Sequence, residues 1–328
     1  MKRLAFAFLV FTICIYSQPT ESTISIMPGS FSRMGFGPRG IGMGNAFSAV
    51  TEGNLSTYYN PALSAFQNGN SFLASYSFLS LDRSLNFLSF TRKFDLFSKS
   101  DPSAPKAAAG VSAGLINSGV SNIDGRDYSG NPTGELSTSQ NMFFLGVSNR
   151  FSEKFAIGIT AKFYHYSLYQ NISSSAFGLD IGALYRISNY FNLAFVLTDL
   201  NTKYKWDSSP LYQQDGTTTQ DKFPLLKKIG LAYQNNKLGL IIDAEFESSN
   251  AQTNILRGGI EYNIYQNFFL RGGIDQFNLS NKDFPAKPSL GFSYFYNLDN
   301  MKIGIEYAFM IEEYSPSDRH IIGLNIVF

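Results

Sequence analysis

"FAIGITAKF", residues 155–163, sets Phe155, Ile157, Ile159, Ala161 and Phe163 on one side of the chain and Ala156, Gly158, Thr160 and Lys162 on the other. Successive side chains leave opposite faces of a pleated strand, so alternation over nine residues reads as a strand with one apolar face. "FGLDIGALYR", 177–186, repeats the pattern, with Phe177, Leu179, Ile181, Ala183 and Tyr185 against Gly178, Asp180, Gly182, Leu184 and Arg186. "MKIGIEYAF", 301–309, sets Met301, Ile303, Ile305, Tyr307 and Phe309 against Lys302, Gly304, Glu306 and Ala308.

The same rhythm gives fourteen candidate strands: 71–80, 84–94, 107–116, 137–149, 155–166, 175–186, 191–199, 223–233, 238–247, 254–263, 268–277, 288–296, 301–310 and 320–328. Many are nine residues or longer, close to the ~9–11 that a tilted strand needs to cross a bilayer. Strands of soluble domains average nearer five or six. The connections alternate between long ("IEEYSPSDR", "NLSNKDFPAKP", 200–222, 117–136) and short ("NLDN", "YQN", "ISNY"), as in outer-membrane barrels. "SLDR" and residues 95–106 break that alternation. The chain ends "GLNIVF" on the aromatic Phe328. Closure would leave no unpaired edge in lipid. The expected fold is all-β, a fourteen-stranded antiparallel transmembrane β-barrel with an N-terminal plug segment. Its inward face should hold Asp180, Arg186, Asp243, Glu245, Arg257, Glu261, Arg271, Asp275, Lys302 and Glu306. If the turn Tyr265-Gln266-Asn267 centres on Gln266, facing residues have numbers summing to 532. Glu261 then meets Arg271 and Arg257 meets Asp275, two opposite-charge pairs.

Charged residues make up 16% of the 328, against ~25% in an ordinary soluble domain, and aromatics another 16%. "MKRLAFAFLVFTICIYSQ" has a basic start in Lys2 and Arg3, an apolar run from Leu4 to Tyr16 too short for a membrane helix, and a small residue at Ser17. It reads as a secretory signal, residues 1–17, removed before Gln18. The single cysteine, Cys14, lies within it, so the exported chain has no thiol for a disulfide, a metal or a nucleophile. Without Lys2 and Arg3 the basic count falls from 26 to 24 against 25 acidic residues, and nothing suggests a nucleic-acid partner.

Residues 18–70 precede the first strand of the expected barrel, 71–328. Fourteen strands enclose a lumen too wide for side chains to fill, so an inserted segment is expected there. Within it, "GPRGIGMGNAFSAVTEGNLSTYYNPAL" places Gly40, Gly42 and Gly44 where the backbone can lie close to the wall. "NAFSAV" suggests a short helix, and Asn60-Pro61-Ala62 a turn into another. A dinucleotide loop fits poorly. Pro38 and Arg39 precede the glycines, Asn45 stands at the third glycine position, and no β-α-β unit follows.

"RGIGMGNAFSAVTEGNLSTYYNPALSAF" resembles the N-terminal signature of the PorV/PorQ family, relatives of the FadL fatty-acid transporters, with its Arg-x-x-x-Met-Gly start and Asn-Pro-Ala turn. The resemblance continues through "GELSTSQNMFFLGVSNRFSEKFAIGITAKFYHYSLYQNISSSAFGLDIGALYR" and covers roughly residues 30–190. It implies a plugged fourteen-stranded barrel in the outer membrane of a Gram-negative bacterium. It further implies a type IX secretion accessory that binds cargo domains or secretion-system proteins. FadL-like relatives instead pass hydrophobic small molecules through a lateral opening in the barrel wall, and a polar sealed lumen would favour the shuttle over the conduit.

The surfaces for a partner are then the loops 117–136, 200–222 and 278–287. The second carries the only tryptophan, Trp206, either a binding residue or an interfacial anchor. Catalysis has little support. His165 and His320 are the only histidines, and although Ser167 is near His165, no spacing singles out a triad. Two histidines and no exported cysteine do not suggest a dedicated transition-metal site. No cofactor is expected. Outer-membrane lipid is the one obligatory partner.

Overall fold

The computed structural model describes residues 23–98, 101–169, 171–281 and 283–328. The expected signal, with Cys14 and Gln18, lies outside them.

Fourteen strands close into one antiparallel barrel: β1 (Asn70–Phe78), β2 (Arg83–Ser98), β3 (Asp101–Arg126), β4 (Pro132–Arg150), β5 (Phe155–Tyr169), β6 (Ile172–Arg186), β7 (Phe191–Leu200), β10 (Leu226–Asn235), β11 (Leu240–Ser249), β12 (Asn254–Tyr265), β13 (Phe268–Asn278), β14 (Lys287–Leu298), β15 (Met301–Met310) and β16 (Arg319–Val327). Strand β16 closes on β1, with Ser71 opposite Val327 and Phe78 opposite His320. Between β7 and β10, the short strands β8 (Lys203–Asp207) and β9 (Thr218–Lys222) pair as a separate hairpin. A single-turn helix, α2 (Ser209–Tyr212), lies in its loop.

The outer wall shows where the membrane sits. Asn86, Asn117, Asn141, His165 and Ser175 are successive cross-strand partners on the outward face of β2 to β6. One step further into the barrel, the facing residues are Leu88, Leu115, Phe143, Phe163 and Phe177. At the other end, Phe155 faces Tyr185, and Phe191 faces Tyr233. Phe155 to Phe163 spans about 20–25 Å at ~3.3 Å per residue and a ~40° tilt, the height of a lipid-facing band between aromatic girdles.

Two of the expected loops are strand. Strands β3 and β4 continue through most of 117–136, leaving only 127–131 as the tip, and β2 and β3 occupy most of 95–106. Backbone pairing outlasts the apolar face there, because those stretches stand beyond the lipid band.

Residues 29–67 fill the lumen. Nearly all are buried, including Ile41, Met43, Val50, Leu55, Leu63 and Phe66. Each such side chain is worth ~1.5–3 kcal/mol of burial. The helix expected over "NAFSAV" is absent. The helix of this region is α1 (Pro38–Gly42), begun by Pro38, whose fixed φ suits a first helical position. The Asn60 side chain accepts from Ala62 N at 2.9 Å, and Pro61–Phe66 follows as a 3-10 helix.

Candidate functional site

The lumen wall has two arcs of different chemistry. Along β1 to β4, residues 71–77, 85–91, 108–118 and 140–148 contain no charged side chain. Leu73, Leu85, Phe87, Ile116, Met142 and Phe144 point inward there and are buried. From β5 onward most strands carry charge on the inner face, β5, β6, β10 to β13, β15 and β16 among them.

That charge is organised around the inner segment. Arg39 Nε and Nη2 donate to the two oxygens of Glu261, each at 2.7 Å. Arg271 Nε donates to Glu261 at 2.6 Å, and its Nη2 to Ser293 at 2.8 Å. Arg257 pairs with Asp275 at 2.7 Å, Glu247 at 3.0 Å and Glu245 at 3.1 Å. Asp275 also accepts from Asn45 of the inner segment at 2.7 Å. In a third group, Lys162 lies 2.6 Å from Asp180 and 3.4 Å from Asp199, which also accepts from Tyr164 Oη. Glu306 is fully buried on β15, opposite Ser293 and Gly323. Lys302 reaches the Phe295 ring, 4.9 Å from its centroid.

Along β12 and β13 the numbers of facing residues sum to 532 from Gly258↔Ile274 to Asn263↔Phe269, with Glu261 opposite Arg271. At Arg257 a bulge interrupts the ladder, yet the Arg257–Asp275 ion pair still forms. Sequence reasoning missed Arg39 as the partner of Glu261. An arginine among the glycines of a segment expected inside the lumen was the available signal, and the sequence analysis used Arg39 only in the nucleotide-loop comparison and the family signature. Of the three glycines expected against the wall, Gly42 and Gly44 abut it, at Gly291 and at Gly258 and Ile274. Gly40 faces Tyr59 within the inner segment instead. Asn60 and Pro61 lie against Gly182 of β6.

At the loop end a basin of about 440 Å³ is lined by Tyr166, Leu168, Tyr204, Trp206, Gln140 and Asp221, with Ile26 to Ser30 of the inner segment on one side. Trp206 lies over the mouth of the barrel, its Nε1 donating to Asp221 at 2.9 Å. The hairpin is held to β6 through Ser174, whose hydroxyl bonds both Lys205 N and Lys205 O. From Trp206, ring centroids follow one another inward: Tyr204 at 5.5 Å, then Phe223 at 5.0 Å, Tyr164 at 4.8 Å and Phe31 at 6.2 Å. A second run goes from Phe144 through Phe87, Phe36, Tyr58 and Tyr59 to Phe47, with spacings of 4.8–6.1 Å. Both runs belong to one apolar cluster up to Tyr58.

The histidines do not build a catalytic site. His165 Nδ1 is 3.0 Å from Ser175 Oγ, not Ser167, on the outer face of the barrel. His320 Nδ1 is 2.7 Å from Tyr307 Oη, also on the outer face. Among the described residues, no group of three metal-ligating side chains comes together.

These features define a fourteen-stranded transmembrane barrel whose lumen holds its own N-terminal residues. No protein-family model and no curated protein matches the chain. Solved structures do. CymD, a monoaromatic hydrocarbon channel, superposes with a TM-score of 0.62 at 13% identity, over 90% of this chain and 98% of that one. The Pseudomonas putida toluene transporter TodX gives 0.58 at 15% identity, over 89% and 96%. A Pseudomonas aeruginosa FadL homologue gives 0.58 at 11% identity, over 89% and 97%. The chain has the fold of FadL-type channels.

Proposed function

We propose that the protein is a non-enzymatic outer-membrane barrel that admits hydrophobic small molecules from the loop end, with residues 18–70 acting as its plug. The observation that carries this reading is the aromatic series running from the Trp206 basin into the uncharged arc of the lumen. A polar solute gains nothing from that wall, whereas an apolar one exchanges water for ring faces all along it. The fold shared with hydrocarbon channels supports the same conclusion. The lipid band and its two girdles support placement in the outer membrane of a Gram-negative cell.

The secretion-accessory role implied by the PorV/PorQ resemblance has less behind it. The lumen is sealed and partly polar, as a shuttle would have it. A shuttle, however, has no use for an aromatic lane leading inward from the mouth. In the conduit reading, the Arg39–Glu261 ion pair and the Asn45–Asp275 hydrogen bond hold the plug shut at rest.

Trp206, the only tryptophan, makes the test direct. Bromobenzene, a heavy-atom quencher, should quench its fluorescence saturably in detergent-solubilised protein, and cells bearing the barrel should take bromobenzene up faster than cells without it. A linear, non-saturating quench with no difference in uptake would refute the conduit.

A further inference from the structure

We infer that the turn end of the barrel carries a second site, which takes a zwitterionic peptide group: its carboxylate on Arg186 and Gln234, its ammonium against Glu52 and Glu153. The inference rests on the outer-membrane placement proposed above, which turns this end to the periplasm, and is independent of the conduit.

The site is a pocket of about 540 Å³ between the inner segment and the turns 151–154, 188–190 and 235–237. Its floor is fixed. Gln234, at the end of β10, is 6% exposed, and its Oε1 accepts from Thr51 N at 3.2 Å and from Thr51 Oγ1 at 2.8 Å. Asn192 Nδ2 donates to the same oxygen and is itself oriented by Ala49 O at 3.2 Å. Thr51 N and Asn192 Nδ2 can only donate, so they hold Oε1 in place and the amide cannot turn over. Gln234 Nε2 is left buried without a partner among the described residues. A buried N–H group in that state is costly, and a ligand that accepts from it recovers the loss.

Arg186 reaches the same threonine. Its guanidinium lies 4.6 Å over the Phe66 ring and gives Thr51 Oγ1 one long hydrogen bond of 3.4 Å. The ring fixes the plane of the fork and leaves its other N–H groups unused. Arg39, Arg257 and Arg271 each hold a carboxylate. Arg186 holds none among the described residues, although Glu52 and Glu153 line the pocket with it. Lys154 and Lys237 complete the rim, so three cations and two carboxylates share the pocket with no ion pair between them.

These groups select a ligand by charge. A planar guanidinium with free N–H groups, beside an amide N–H, matches a carboxylate that accepts on two oxygens. A phosphate dianion would meet Glu52 and Glu153 as well and be repelled. An ammonium on the same ligand turns that repulsion into attraction, so a zwitterion uses both sets. A neutral glycan would fill the volume and answer none of the charges. Residues 152–154, 188–190 and 236–237 are exposed, so the pocket opens at the end of the barrel. Two sources present such groups on that side: the stem peptides of the cell wall, and free short peptides.

Titration calorimetry of the detergent-solubilised protein with tri-alanine, and separately with the wall tripeptide L-Ala-D-Glu-meso-diaminopimelate, tests the site. Saturable binding is expected, and the tighter of the two peptides identifies the source. Gln234→Glu keeps the acceptor for Thr51 and Asn192 but replaces the free donor by a second acceptor oxygen. It should weaken the tighter peptide about tenfold or more, as should Arg186→Gln, whereas Lys205→Gln on the hairpin at the loop end should change nothing. Unheated electrophoretic mobility reports that each barrel is folded. Should Q234E misfold, the exposed pair Lys154→Gln/Lys237→Gln is read in its place, with a several-fold loss expected. Folded variants at Gln234 and Arg186 that bind as wild type does would overturn the site. So would a wild-type protein that binds neither peptide, and the conduit, read by bromobenzene, would be untouched by either result.

Discussion

Glu261 is held by two guanidiniums, one from the wall and one from the inner segment, all three side chains almost wholly buried. Removing the carboxylate strands both arginines in the lumen, and breaking a buried pair in this way typically costs about 3–5 kcal/mol. Glu261→Gln is therefore expected to lower the thermal midpoint in detergent and to loosen the inner segment, seen as faster proteolysis within residues 40–54. An unchanged midpoint and cleavage pattern would show that Arg39 is anchored by its carbonyl contacts to Glu52 and Asn54 alone. Gly44 is constrained differently. It sits at φ +61°, and a Cβ there would lie 2.5 Å from Ile274 N and 2.7 Å from Gly258 O, both backbone atoms that cannot step aside. Gly44→Val should displace the turn and make reconstituted protein conduct ions, whereas Gly130→Ala, at an open loop position, should leave conductance at the wild-type level. Outside the membrane, Asp127 shows a pH effect of plain sign. The side chain and backbone N–H of Asn131, then the N–H of Ser129, hydrogen-bond its carboxylate and hold its pKa below the usual aspartate value. A depressed carboxylate supports the folded tip above its unfolded pKa and loses that support as pH falls through its folded one. The amide resonance of Asn131 should titrate with a midpoint below 3.8, and a midpoint at or above it would contradict the hydrogen-bonded tip.

At the scale of elements, the hairpin β8–β9 carries the mouth. Tyr204 is its buried residue, packed between Trp206 and Phe223, and large-to-small changes at such sites cost ~3–5 kcal/mol. Tyr204→Ala should release the hairpin without unfolding the barrel. Iodide would then reach Trp206 more readily and bromobenzene would bind about tenfold more weakly, and equal iodide access in both proteins would place the hairpin's anchorage elsewhere, at Ser174. Elements like this one also mark how far sequence reading reaches. Strands in the lipid band were legible because lipid on one side and lumen on the other impose a chemical alternation, and all fourteen were found from it. The extensions of β3 and β4 through "GVSNIDGR" and "TGEL" were not, because water bathes both faces and nothing forces the residues to alternate. The register of β12 on β13 could be read from four charges, while the bulge at Arg257 could not, since it leaves no mark on the charge pattern. The inner segment was legible as something that needs glycine and misread in detail. Its helix falls on Pro38–Gly42, where intrinsic propensity is poor, because the space beside Tyr59 and β14 admits no side chain. Trp206 was singled out by being alone, but the Tyr166, Tyr204 and Phe223 around it come from three separate segments and had no common signal.

For the whole molecule, the division of the lumen into an uncharged arc and a charged one separates two tasks that a single lining could not combine. The charged arc fixes the inner segment by groups that are expensive to leave unpaired, and the uncharged arc packs against it through rings and aliphatic side chains, with Ser and Thr hydroxyls paired to one another or to the inner segment. The two meet at Tyr58 and Tyr59, whose rings continue the aromatic run while Tyr59 Oη bonds Phe36 O at 2.8 Å and Asn45 at 2.9 Å. A fourteen-stranded wall by itself leaves an open lumen, and in the reading proposed above the buried residues 29–67 are what closes it. Replacing residues 31–66 by a short Gly-Ser linker should therefore give large, steady conductance in planar bilayers, with the wild-type protein silent under the same voltage. The linker variant should also lose the preference for apolar solutes, because Phe31, Phe36, Phe47 and Tyr58 leave with the segment and water takes their place. If the emptied barrel stayed silent, the wall would have to collapse inward or the β8–β9 hairpin seal the mouth unaided. Deleting 203–222 in the same background separates these outcomes, restoring conductance only if the hairpin is the seal.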